Sequence, residues 1–227
     1  MKKNILKSIL FLVFIFSPML LYAQKKQLAT ARESLKTGKE LVKAEKSMQN
    51  LLEDSVNRTN TKIWVMLCDI LMKQYEQGNE KLYLKQQYDT AAFFSVTKRM
   101  YETMAKFDSI DAHLNMPSPV LPKYRERHAQ FLNSIRPNLF NGGTYFLHVK
   151  DYKTAYDYFD NYIKTDKQSL FIGYDYEHKD DLMPHAAYWA MYCGYKLGDT
   201  EKTMRYLNLA ERDSSMLNFV RQYDASA

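Results

Sequence analysis

Along most of the chain apolar residues return every three or four positions and almost nowhere alternate with polar ones, a pattern that predicts helices punctuated by Gly, Asn, Asp or Pro. The expected fold class is therefore all-α. A first helix pair is read from Gln27 to Thr37, interrupted at Gly38 and resumed through Leu41, Ala44, Met48, Leu51 and Leu52. A second opens at Ile63-Trp64 and sets Leu67, Leu71 and Tyr75 on one face; it is expected to break at Gly78-Asn79 and to return through Tyr88, Ala91, Ala92, Phe94 and Met100. Pro117-Ser-Pro-Val-Leu-Pro122 predicts a stiff connection, because proline lacks the amide donor and biases the residue before it away from helix. It divides one continuous helical domain, 24–227, into segments 24–116 and 123–227, and a further helical run is expected from Tyr124 to Ile135.

Residues 1–23 follow another rule. Lys2, Lys3 and Lys7 precede an apolar run from Ile9 to Phe16, and Leu21-Tyr22-Ala23 ends the segment on a small residue. This predicts a secretory signal peptide cleaved after Ala23, since Pro18 interrupts an apolar stretch already short of the ~20 residues a membrane helix needs. The first cysteine is Cys68, so none lies near the junction to carry a lipid, and a periplasmic or secreted protein with no membrane span is expected. Loss of the three lysines lowers the net charge from +6 to +3. With basic and acidic residues interleaved, that argues against nucleic acid as a partner. Cys68 and Cys193 both sit in apolar helical stretches, where a buried thiol is expected in preference to a bridge between them.

Gly143-Thr-Tyr-Phe-Leu-His-Val-Lys-Asp151-Tyr152-Lys-Thr-Ala155-Tyr-Asp-Tyr-Phe159 resembles the tetratricopeptide repeat family, which places a small residue in the first helix, an Asp-Tyr turn, an alanine and a large aromatic in this order. Gln87-Tyr88-Asp-Thr-Ala91 repeats part of the pattern, and Leu197-Gly198-Asp199 through Thr203 and Leu207 to Ala210 repeats it in eroded form. The equivalent positions Ala44, Ala91, Ala155 and Thr203 are more widely spaced than the ~34 residues of regular repeats. The resemblance implies a helical-repeat solenoid of about four pairs, acting as a scaffold or adaptor that holds a protein or peptide partner in a concave groove. The Ala23-Gln24 junction and the wealth of Lys, Asn and Tyr resemble exported proteins of the Bacteroidetes type, so a glycan- or nutrient-uptake-associated envelope protein is the alternative.

Carried over by matched position, the groove residues are Phe140, Thr144, Leu147 and His148 from the clear repeat and Tyr188, Tyr192, Tyr195 and Lys196 from the eroded one. Val65, Asp69, Met72 and Lys73 are the earlier counterparts, and core packing is the competing reading for Tyr188 and Tyr192. Tyr174 and Tyr176, in a polar stretch, are expected to offer exposed contacts. No Gly-rich phosphate loop, nucleophile elbow, His-Glu-x-x-His or Cys-x-x-Cys pair occurs, and the expectation is a protein that is not an enzyme and uses no cofactor or metal. Asp175, Glu177, His178, Asp180, Asp181 and His185 form the densest polar cluster, without a diagnostic ligand spacing, and are read as a solvated loop. At the far end Asp213-Ser-Ser is expected to start a helix through Met216, Leu217, Phe219, Val220 and Tyr223 that either folds back as a cap on Tyr206 and Leu209 or marks where the chain once continued into further repeats.

Overall fold

The computed structural model describes residues 23–114 and 122–225, all of whose regular structure is helical. The amino-terminal segment read as a signal peptide, up to residue 22, and most of the proline-rich connection lie outside the described residues. Among those described, no helix is long and apolar enough to cross a membrane. The chain forms two compact units divided at Glu80 and Lys81.

In the first unit, α1 (residues 23–37) and α2 (Leu41–Glu53) are joined at Gly38, whose φ of +69° is the left-handed conformation a tight helix–helix turn demands. α3 begins at Thr61 and runs to Tyr83. Their core is mainly aliphatic: Leu28, Ala31, Leu41, Ala44 and Met48 meet solvent little, Ile63, Cys68, Ile70 and Leu71 not at all, and Trp64 and Tyr75 are buried beside them. Two amides stitch it together. Gln74 donates to the buried Glu45 carboxylate at 2.7 Å, and Gln77 donates to the Gly38 carbonyl at 2.9 Å. The expected break at Gly78-Asn79 does not occur, because Gly78 is buried inside α3 and its propensity cost of ~1 kcal/mol is small beside the packing of a 23-residue helix.

The second unit contains α4 (Thr90–Leu114), α5 (Arg125–Ile135), α6 (Pro137–His148) and α7 (Tyr152–Lys164), then the short α8 (Tyr176–Lys179) and the long α9 (Leu182–Leu197). α10 (Thr200–Met204), α11 (Leu207–Ala210) and α12 (Leu217–Asp224) complete it. The proline-rich stretch is not a boundary between units, because α4 packs on α5 and α6, the helices that follow it. Pro137 separates α5 from α6 by removing one amide donor from an otherwise continuous run.

At the α6–α7 pair the sequence pattern has a visible cause. Asp151 caps α7 by accepting the Thr154 amide at 3.1 Å, and Ala155 is fully buried. A Cβ on Gly143 would lie 2.7 Å from the Phe159 ring, and one on Gly142 2.6 Å from Tyr158, so the two helices approach as only glycine permits. α9 and α10 repeat the device with different residues. Gly198 ends α9 at φ +65°, Asp199 caps α10 through the Lys202 amide at 3.0 Å, and Gly194 lies so close to Thr203 that a Cβ would meet its backbone nitrogen at 2.5 Å. α9 is the central helix, packed by α7, α10, α11 and α12.

Candidate functional site

α9 has two faces. Met183, Ala186, Ala187, Ala190, Met191, Cys193 and Gly194 are buried, and Cys193, whose thiol burial pushes up to about 12, is chemically inert there. Cys68 is likewise a buried thiol. His185, Tyr188, Trp189, Tyr192 and Tyr195 recur at helical spacing and build a continuous aromatic face. Trp189 meets Tyr188 edge-on at 4.9 Å between centroids and Tyr192 at 5.7 Å, while His185 lies 5.9 Å from Trp189. Tyr152 of α7 adds an edge contact to Tyr192 at 6.1 Å, and the Lys196 ammonium stands 5.3 Å from the Tyr192 centroid.

α12 folds back onto this face, packing on α9, α10 and α11. Val220 is wholly buried, and the Tyr223 ring lies 6.3, 5.8 and 4.8 Å from Tyr188, Tyr192 and Tyr195. The expected fold-back is thus present, but its seat is the tyrosine row of α9 as well as α11; Tyr206 is engaged instead with Asp160, to which its hydroxyl donates at 2.6 Å.

The groove residues inferred from the repeat pattern have unequal environments. Tyr188 is only 5% exposed and belongs to the core; burial, then the neighbouring Tyr223, raise its phenol well above the ordinary value. Tyr192 is half-buried, Tyr195 is 41% exposed and Lys196 is exposed, so these three remain reachable beside α12. Phe140 is half-buried, edge-on to Phe159 and Tyr162 and stacked on His185 at 6.0 Å. Thr144 turns its hydroxyl back to the Phe140 carbonyl at 3.2 Å. Leu147 is half-buried and His148 exposed at the end of α6, and among the described residues no hydrogen bond or ring contact links His148 to α9. In the first unit Val65, Asp69, Met72 and Lys73 form a half-buried stripe on α3. Trp189 was not legible from the repeat pattern, although its place one position after Tyr188 and three before Tyr192 puts it on their face.

A second polar site surrounds Arg136, for which no motif gave a signal. Its guanidinium lies between the Tyr162 and Tyr176 rings, 3.7 and 3.8 Å from their centroids. It donates to Thr165 Oγ1 at 2.9 Å and the Tyr162 carbonyl at 3.2 Å, and it forms an ion pair with Asp180. Arg136, Tyr162, Tyr176 and Asp180, together with Asn133, Tyr174 and Lys179, line a cleft of about 510 Å³. Tyr176, expected to be exposed, is buried because Arg136 stacks on it and Asn133 accepts its hydroxyl at 2.8 Å; Tyr174 is half-buried on the cleft wall.

The acidic and histidine cluster is dispersed among separate partners. Asp180 pairs with Arg136, Glu177 with Lys167 and Arg212, Asp175 with His178, and His185 with Asp213. Among the described residues no group of three or more His, Cys, Asp or Glu is placed to hold a metal ion. No family model, curated protein or solved structure matches the chain.

Proposed function

We propose that this protein is an exported, tetratricopeptide-like interaction module whose α9 face holds a protein or peptide partner. The observation that carries the reading is the cluster of half-exposed Trp189 and Tyr192 with exposed Tyr195 and Lys196, backed by buried Tyr188. Large aromatic side chains that are rigidly supported yet open to solvent are the usual energetic anchors of protein interfaces. The Gly143–Phe159 crossing, the Asp151 and Asp199 caps and buried Ala155 support the tetratricopeptide-like reading, since each contact has the packing role the repeat pattern assigns it. Export to the periplasm or beyond rests on the lysine-rich, apolar amino-terminal sequence ending at Ala23.

The test pairs thermal stability with partner capture from the native envelope. Trp189→Ala and Tyr192→Ala should each weaken capture by ~2 kcal/mol or more. Tyr188→Ala should instead unfold readily, at a cost of ~3–5 kcal/mol for a truncated core aromatic. Capture that survives both Trp189→Ala and Tyr192→Ala removes this face from consideration.

A further inference from the structure

α12 shows what kind of molecule the α9 face accepts. It is only eight residues long, yet Met216, Phe219, Val220 and Tyr223 follow the i, i+3, i+4, i+7 spacing of an amphipathic helix lying in a groove. Val220 is fully buried and Tyr223 reaches three tyrosines of α9, whereas Phe219 remains 49% exposed although its ring is 6.4 Å from Tyr188. The segment before the helix is fastened at its base: Asp213 pairs with His185 at 2.8 Å and Arg212 with Glu177 at 3.0 Å. Beyond Asp213 the chain makes an Asp–Ser turn, in which Asp213 accepts the Ser215 amide at 3.0 Å, before α12 starts.

We infer that α12 is a detachable occupant of the α9 face, and that the partner is a short amphipathic helix bearing apolar or aromatic anchors at the spacing of Met216, Val220 and Tyr223, which binds by displacing it. This rests on the reading of α9 as the partner-binding face and adds the partner's form and the competition it must win. A tethered helix competes at an effective concentration on the order of millimolar, so α12 sets an affinity threshold that excludes weak apolar ligands.

The probe is a fluorescent peptide of residues 213–225, titrated into the full chain and into the full chain carrying Val220→Asp, which places a charge where α12 needs a buried apolar group. The expected result is binding to the Val220→Asp chain at least tenfold tighter than to the unmodified chain, abolished by adding Tyr192→Ala. On the unmodified chain, hydrogen exchange should show α12 amides opening at least a hundredfold faster than those of α9. Equal protection of the two helices, loss of α9 helicity in Val220→Asp, or peptide binding to neither chain would each overturn the inference. A dimer that Val220→Asp splits would overturn it too, assigning the seat to a second copy of the chain. If the peptide fails while capture still depends on Trp189 and Tyr192, the proposed face stands and the helix-displacement inference alone falls. If the peptide binds while capture ignores both residues, the face is a self-docking surface and the proposed function falls.

Discussion

The two units solve the same packing problem with different side chains. Between residues 23 and 80 the only aromatics are Trp64 and Tyr75, whereas residues 81–225 hold 26 of the chain's 32 Phe, Trp and Tyr. The first unit packs mainly Leu, Ile, Met and Ala around Trp64 and Tyr75, with Gln74 donating to the buried Glu45 carboxylate. The second packs rings, and rings with hydroxyls bring polar groups into the core that must be satisfied there. Tyr101 donates to the Leu132 carbonyl, Tyr162 to Asp180, Tyr176 to Asn133 and Tyr206 to Asp160. An aliphatic core asks only for shape; an aromatic one specifies orientation through edge contacts and hydrogen bonds, and those same rings, where they reach the surface at α9, become candidate binding groups.

The largest test of this contrast is Phe159→Ala. The ring fills the space against Gly143 and Phe140, so its loss should cost ~3–5 kcal/mol, read by denaturant unfolding. Amide exchange should place the weakening in residues 81–225; equal weakening at Ile70 and Leu71 would mean that one cooperative unit spans both cores.

Acid should separate the units next. All five histidines lie after residue 80, and burial, helped by Arg127, lowers the His128 imidazole to about 4. Its folded-state pKa is below the unfolded value near 6.5, so the unfolded chain takes up the proton first. The stabilisation is complete above about pH 6.5 and is lost as pH falls toward 4, by ~3 kcal/mol at most. Unfolding at pH 7 and pH 4.5, compared between the natural chain and His128→Gln, isolates this contribution, and identical pH slopes would refute it.

The smallest effect concerns two tyrosines of similar placement. Tyr206→Phe removes a hydroxyl bonded to Asp160 and should cost ~1–2 kcal/mol. Among the described residues the buried Tyr156 hydroxyl has no hydrogen-bond partner, so Tyr156→Phe should be neutral or slightly stabilising in the same melt. A cost for Tyr156→Phe equal to that for Tyr206→Phe would show that hydroxyl satisfaction is not what distinguishes this core.

The sequence by itself determined the helical class and the α6–α7 turn, because those features are local. The 3.6-residue periodicity, the Asp151 cap and the Gly143, Ala155 and Phe159 spacing each act within one helix or between two adjacent ones. It also placed Tyr188, Tyr192, Tyr195 and Lys196 on a shared face by spacing alone. Burial was decided by tertiary structure. Tyr188 became core because α12 returned from residues 217–224 to cover it, while Tyr195, two turns further along the same face, stayed 41% exposed. The continuation of α3 through Gly78 was likewise decided by packing, which outweighed a local break signal. Arg136 gave no signal at all, since its stacking rings and its acid, Tyr162, Tyr176 and Asp180, are 26 to 44 residues away along the chain. Periodicity reports which residues share a helix face; only the folded chain decides what that face meets, because burial depends on elements distant in sequence.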